Sequence, residues 1–429
     1  MKEKQYISSQ LNYLKASPTP FHAVAAALRL LEDSGFIRLF EKTPWSSLAK
    51  GKYFVTRNDS SLIAFTWDET CTGKLHIAGA HLDSPGLKIK PRPVREKHHC
   101  LQLGVEVYGG ALLAPWFDRD LSIAGRVCCH QDNDTLHTPL IDFKRAIGII
   151  PSLAIHFDRE ANKGRKINNQ TDLVPVIGLT DNFTRGFYAL LKDQLLKEHP
   201  EYANAEILDF DLFLYDVTPP LLTGLHEELL TGSRLDNLLS CHACLQGIIS
   251  TGQQANSLII LNDHEEVGSL STTGAQGSFL EDILSRLYKN PIERQQVLRK
   301  SLFISADNAH AVHPNFDDKH DPQHLPVLNG GPVIKYNANQ RYATNARTAA
   351  QFRMFCHLAE VPVQEFVMRS DMACGSTIGP MTSAALGIDT VDVGIPTLAM
   401  HSIRETAAKS DCWFLFRALQ KFFSAEKNT

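Results

Sequence analysis

Side chains able to hold a divalent cation or move a proton recur where apolar, strand-like runs of this chain give out. HIAGAHLDSPG ends its run at His81 with Asp83 two residues on, LIILNDHEEVGSL runs into Glu265 and Glu266, LFISADNAH ends at Asp307, and His401 lies in PTLAMHSIRE before the last helical pattern. Asp236, in TGSRLDNLLS, stands where a loop enters a helix. Taken singly each has an ordinary explanation, as a satisfied loop histidine, a helix N-cap or a solvated turn. Together they supply one His and one terminal carboxylate for each of two cations, one bridging acid and one spare Glu, which is the inventory of a dinuclear zinc hydrolase. Two zinc ions about 3.5–4 Å apart repel, so the bridging acid is a physical requirement. Asp83 reads as the acid that orients His81 and fixes its tautomer. Neighbouring side chains on a strand point to opposite faces, so unless the strand has already turned into a loop Glu265 and Glu266 do not share one job, and they do either two jobs or none.

The elements that must carry these groups alternate in type. SPTPFHAVAAALRLLEDSG places Phe21, Val24, Ala25, Leu28 and Leu31 on one helical face, with Ser17 or Thr19 as cap and Gly35 as stop. KYFVT, SLIAFTW and KLHIAGAH read as strands. From Leu87 to Asp216 the pattern is mostly period two, as in LQLGVEVYG, with FTRGFYALLKDQLLKEH the one clear helix. From Arg234 strand and helix alternate again: LDNLLSCHACLQGII, NSLIILND, SLFISAD, GPVIKYN, ATNARTAAQFRMFCHL, VQEFVMRSD, SAALG, IDTVDVG and a final helix to Phe423. The expected fold is therefore α/β, a mostly parallel sheet flanked by helices, formed by residues 1–86 and 234–429 and interrupted by a β-rich insertion, 87–233. In such sheets functional groups collect beyond the carboxyl ends of strands, where these residues stand.

Composition narrows the partners. A chain of 429 residues suggests more than one domain. With 43 basic and 47 acidic residues the net charge is -4, and no basic run is interleaved with aromatics, which argues against nucleic acid and anionic lipid. No stretch approaches the roughly 18 apolar residues of a membrane span, and the N-terminus lacks a signal-peptide core, so a cytoplasmic protein is expected. The nine cysteines sit in apolar surroundings. Cys241 and Cys244 have CxxC spacing, but no second CxxC exists and the segment is helical in pattern, so packed thiols are the expectation there.

The ordered motifs HLDSPG, SRLDNL, DHEEVGS, SADNAHAVHPN, GPVIKYNANQRYATN and IGP with AMHSIRE, together with the opening SPTPFHAV, closely resemble the M18 metallo-aminopeptidases, the aspartyl aminopeptidases, over essentially the whole chain. The resemblance implies two zinc ions, with His81 and Glu266 on separate metals, Asp236 bridging, and Asp307 and His401 completing the set. Cobalt or manganese can take similar ligands at one site. It implies Glu265 as general base, the two acids being set apart by period two, and a loop role for His264. His156, in SLAIHFDRE, is implied to bind substrate from a neighbouring subunit, with a metal role open. His310 and His313 are left between loop bonds and support of the site. The insertion is implied to be a dimerisation domain, within a homo-oligomer that in the family is a tetrahedral dodecamer.

The implied reaction removes N-terminal residues from peptides with a free amine, preferring acidic ones. Lys335, on an otherwise apolar strand, and Tyr342 are the expected side-chain contacts, with backbone amides near Gly375 in CGSTIGP assisting. Two other readings compete. One is a two-metal deacylase of N-acyl amino acids; the other is a zinc-stabilised scaffold, which would have no use for the spare Glu265.

Overall fold

The runs SLIILN, HIAGAH, LFISA and DTVDVG form strands Ser257–Asn262, His76–His81, Leu302–Ala306 and Asp389–Gly394, which lie side by side and parallel in that spatial order. They are the centre of a nine-stranded sheet. Ser61–Trp67 and Gly51–Arg57 extend one side antiparallel, with Ile37–Arg38 parallel at the edge. Val333–Tyr336 joins the other side antiparallel, followed by Gln364–Val367, parallel to it. The sheet is mixed with a parallel centre, and helices cover both faces, as the alternating pattern requires.

In the computed structural model the described residues are 1–45, 48–71, 73–131, 135–182, 185–251 and 256–425. They form two units, Met1–Asp83 with Pro220–Met400 and Glu405–Thr429, and Ser84–Pro219 with His401–Arg404. The chain re-enters the first unit at Pro220, earlier than the Arg234 expected from the sequence. The reason is pairing: Leu221–Thr223 and Leu229–Gly232 belong to a five-stranded sheet with Glu405–Ala408, Pro396–Leu398 and Ala309–His310. Strands this short carry too few residues to show a period.

Period two sorts the central strands between two cores. Ala78, Ala80, Ile259, Leu261, Ile304 and Ala306 pack with helices Glu3–Lys15, Pro20–Asp33, Leu235–Ile249, Ala346–Ala359 and Lys409–Ser424. Ile77, Leu258, Ile260 and Phe303 face helices Phe279–Leu287 and Pro291–Lys300 instead. Gly79 is required by that second core, since a Cβ there would lie 2.6 Å from the Phe303 ring. Pro20–Asp33 is the helix read from sequence, with Thr19 accepting from the His22 amide and Gly35 at φ 78° beyond its end. Glu3–Lys15, Phe279–Leu287 and Pro291–Lys300 were not foreseen. No helix among the described residues is long and apolar enough to cross a membrane.

The second unit is a seven-stranded antiparallel sheet with spatial order Val176–Leu179, Cys100–Tyr108, Gly86–Lys97, Glu206–Asp216, Leu121–Gln131 and Thr135–His137, Leu140–Asp142 also pairing with Leu121–Gln131. Leu101, Leu103 and Val105 are buried in alternation, and Leu103 and Val105 enter the core against which helix Phe187–Glu198 packs Phe187, Leu191 and Leu195.

Two buried histidines tie stability in the first unit to pH. His76 begins the strand that ends at His81, and its ring lies 5.0 Å from Phe422; burial, then Lys74, pushes its pKa down to about 4. His242 has Nε2 3.0 Å from Ser9 Oγ, and burial lowers its pKa to about 3. Both bind their protons only on unfolding, so their contribution is full above the ordinary value of 6.5 and is lost as pH falls toward 4 and 3. Each removes about 1.4 kcal/mol per pH unit within that window. Urea unfolding of His76→Phe and His242→Phe should show a shallower acid slope between about pH 6 and 4.5 than the parent chain, whereas slopes identical to the parent would contradict the buried neutral assignment.

Candidate metal centre

Because the four central strands run parallel, their carboxyl ends open onto one edge of the sheet. His81 is the last residue of its strand and 1% exposed. Its Nδ1 donates to the Asp83 carbonyl at 3.0 Å and lies 3.4 Å from Asp83 Oδ1. A carbonyl can only accept, so the neutral ring carries its proton on Nδ1 and presents the Nε2 lone pair. That lone pair faces Asp236 Oδ1 at 3.5 Å and Asp307 Oδ1 at 3.4 Å. Acceptors facing acceptors in a buried site need positive charge, either a second proton on His81 or a cation. Burial alone would lower the His81 pKa, but Asp236, Asp307 and Asp83 outweigh it and raise it well above the usual value. The donor set, one imidazole and two carboxylates with ligand atoms within 4.8 Å of one another, suits zinc.

Each acid is placed by its own piece of backbone. Asp307 follows strand Leu302–Ala306 and anchors its amide on the Val393 carbonyl at 2.8 Å. Asp236 has φ −80° and ψ 107°, outside the helical region, so the regular helix begins after Asn237 and Asp236 is not its N-cap. The Asp236 amide donates to Glu405 Oε2 at 3.1 Å, and Asn237 Nδ2 to the Ala306 carbonyl at 2.9 Å. Glu405, 1% exposed, had no signal in its local sequence that set it apart from the other residues of AMHSIRE.

Glu265 and Glu266 are not on the strand. The strand ends at Asn262, His264 turns left-handed at φ 61°, and Glu265–Val267 is a single 3₁₀ turn. Successive side chains there diverge by about 120° rather than 180°, so turn geometry, and not the period of a strand, separates the two acids. Asp83 clamps this turn: Oδ1 accepts from the Glu265 amide at 3.1 Å and Oδ2 from the Glu266 amide at 3.0 Å. Glu265 and Glu266 each offer an oxygen within 4.8 Å of a His81 ring nitrogen, as Glu266 does to Asp236. Burial pushes Glu265 up to about 8, with His81 opposing and the carboxylates of Asp307, Asp83 and Asp236 adding to the rise.

Lys335 joins the cluster from strand Val333–Tyr336, which Asp389–Gly394 separates from the strand that ends before Asp307. It is 3% exposed, with Nζ 3.4 Å from Asp307 Oδ2, 3.2 Å from the Asn308 carbonyl and 5.1 Å from the centre of the Tyr342 ring. His81, Asp83, Asp236, Glu265, Glu266 and Asp307 are thus gathered, with Lys335 and Tyr342 adjoining through Asp307. Gly375 is exposed and a Cβ there would meet nothing within 4 Å. His401 and His156 lie in the second unit, His401 at φ 67° with Nδ1 donating to the Gly110 carbonyl at 3.0 Å, and His156 exposed. His264 serves its loop, Nδ1 lying 2.8 Å from Ser271 Oγ and 3.2 Å from Thr273 Oγ1. His310 packs its ring 5.7 Å from Phe366, and His313 Nδ1 accepts from the Asn315 amide at 3.2 Å. The Cys241 thiol donates to the His81 carbonyl at 2.9 Å, and burial pushes Cys244 up to about 12, so both are packed thiols.

Fold and site define an α/β protein with a buried cluster of metal-capable side chains at one edge of its sheet. The family described as Aminopeptidase I zinc metalloprotease (M18) matches residues 13–423. A probable M18 family aminopeptidase 2 of Azotobacter vinelandii is 52% identical over 418 residues, 97% of each chain. A chain from the structure of an Ape4 and Nbr1 complex superimposes with a TM-score of 0.93 at 36% identity, covering 98% of this chain and 86% of that one. A chain of the S. cerevisiae mApe1 dodecamer gives 0.83 at 28% identity, covering 97% and 96%. The chain belongs to the M18 family of aminopeptidases, zinc metalloproteases that hydrolyse peptides from the N-terminus.

Asp83→Asn tests the clamp. An amide can accept from only one of the two backbone donors and opposes the other, so the turn should shift and zinc affinity fall about 10–100-fold in a competition titration. Unchanged affinity would show that the turn holds its place without this carboxylate.

Proposed function

We propose that the chain is a dinuclear zinc aminopeptidase preferring acidic N-terminal residues. The observation that carries the metal assignment is the His81 Nε2 lone pair turned toward Asp236 and Asp307 inside the sheet edge. His81 and Glu266 are assigned to separate ions with Asp236 between them, Asp307 is assigned to the set, and His401 is assigned the remaining ligand role on the family resemblance. When bound, zinc supplies Lewis acidity that polarises the scissile carbonyl and lowers the pKa of water. Cobalt or manganese can replace it at the looser site.

Glu265 is the proton carrier. Held by the turn that Asp83 clamps, it takes the proton of the attacking water and returns it to the departing amine. Lys335 is the buried cation for the substrate's acidic side chain, with Tyr342 beside it; His156 is a substrate contact contributed by a neighbouring subunit of a homo-oligomer. The likeness to a chain of the S. cerevisiae mApe1 dodecamer supports the same assembly here, which light scattering measures directly.

Glu265→Gln should lower kcat by about 10²–10⁴ with bound zinc retained, whereas Glu266→Gln should lose zinc; metal content beside single-turnover rates separates them, and an active Glu265→Gln contradicts the role. Lys335→Ala should lower the preference for aspartyl over leucyl substrates about 10–100-fold; an unchanged ratio places the acidic pocket elsewhere. A deacylase would cleave N-acetylated substrates as well as free amines, so absence of turnover on N-acetyl-aspartyl peptides excludes it.

A further inference from the structure

Beneath Lys335 and Tyr342 lies a carboxylate that the reaction above does not use. Asp392 is on the central strand Asp389–Gly394 and has no exposed surface. Its Oδ2 accepts from the Ala343 amide at 2.6 Å, next to Tyr342, and its Oδ1 accepts from Thr377 Oγ1 at 2.6 Å, two residues beyond Gly375. Its own amide donates to Thr344 Oγ1 at 2.9 Å. Thr377 in turn caps helix Ile378–Leu386, accepting from the Gly379 amide at 3.3 Å. The two loops touch again where Ser376 Oγ donates to the Arg341 carbonyl at 3.1 Å. Gly379 leaves the room this requires, since a Cβ there would lie 2.3 Å from Asp392 Oδ1.

We propose that Asp392 is the positioning residue of the pocket for the substrate's acidic side chain, holding loop 341–344 and loop 374–377 in register around Lys335. This rests on the acidic-pocket reading of Lys335. A buried carboxylate that accepts from donors on two separate loops fixes their spacing, and neither loop has a strand or helix of its own at that point. Tyr342 reaches the Lys335 ammonium only with its loop in this place. Asp392 touches neither substrate nor metal ligand in this account, so its signature is in substrate selection rather than in the chemical step.

The test uses zinc-loaded full-length protein with aspartyl and leucyl p-nitroanilides. Asp392→Asn can serve only one of the two loop donors, and should raise KM for the aspartyl substrate about tenfold with kcat within about twofold and zinc content unchanged. Thr377→Val, which removes one donor from the other end, should shift KM in the same direction, and Thr377→Ser should restore it. The Thr377 pair decides the matter even if Asp392→Asn does not fold. Equal losses on both substrates, a fall in kcat at constant KM, or a Thr377→Val enzyme with the parental KM each overturns the inference. If the parent has no aspartyl preference, or Lys335→Ala leaves the ratio unchanged, the acidic-pocket reading fails and the inference with it. A ratio lowered by Lys335→Ala but not by Asp392→Asn overturns the inference alone.

Discussion

Negative charge held away from water at one edge of the sheet is the constraint around which the first unit is organised. Asp83, Asp236 and Asp307 are each less than a tenth exposed, and they surround one imidazole. Taking an ionised carboxylate out of water costs several kcal/mol after relaxation, and like charges at these separations raise one another's pKa. Only positive charge can offset this. Lys335 supplies one fixed unit from strand Val333–Tyr336, its Nζ 3.4 Å from Asp307 Oδ2, and the remaining deficit is why a cation is proposed for the cluster.

The scaffold meets that constraint with backbone more than with side chains. Parallel strands bring His81 and Asp307 to the same edge, and the Gly79–Phe303 contact sets the two strands tightly together. The amides of Glu265 and Glu266 converge on Asp83, so the residue that orients the imidazole also fixes the turn bearing the proposed proton carrier. Imidazole orientation and the placement of Glu265 are therefore coupled through one residue, whose carbonyl holds the ring and whose carboxylate holds the turn. Asp392 repeats the device near Lys335 and Tyr342, where the substrate pocket is proposed, one buried acid gathering donors from two loops. Neither acid needs to touch the substrate to decide where it sits.

Much of this was legible beforehand, and the parts that were not share a cause. His81, Asp307 and the Glu265–Glu266 pair announce themselves because a metal-capable side chain directly after an apolar run is visible locally, and the central strands because four or more β-branched or aliphatic residues recur together. The Asp83 clamp joins residues 182 positions apart and the Asp236 to Glu405 bond spans 169, distances at which no local pattern exists. The 3₁₀ turn was missed because its left-handed entry at His264 carries none of the glycine or asparagine that marks such a turn. Pro291–Lys300 was missed because it buries only Val297 and Leu298, too few to write a helical period. His156 and His401 remain assignments by family resemblance, since nothing in their local sequence separates a ligand from a loop histidine.

Zinc-edge anomalous diffraction from crystals of the full chain tests the central claim most directly. The account requires two anomalous peaks per chain, one within coordination distance of His81 Nε2 and both within reach of Asp236. A chain with no peak at His81 Nε2, or with a single zinc held away from Asp236, would contradict it.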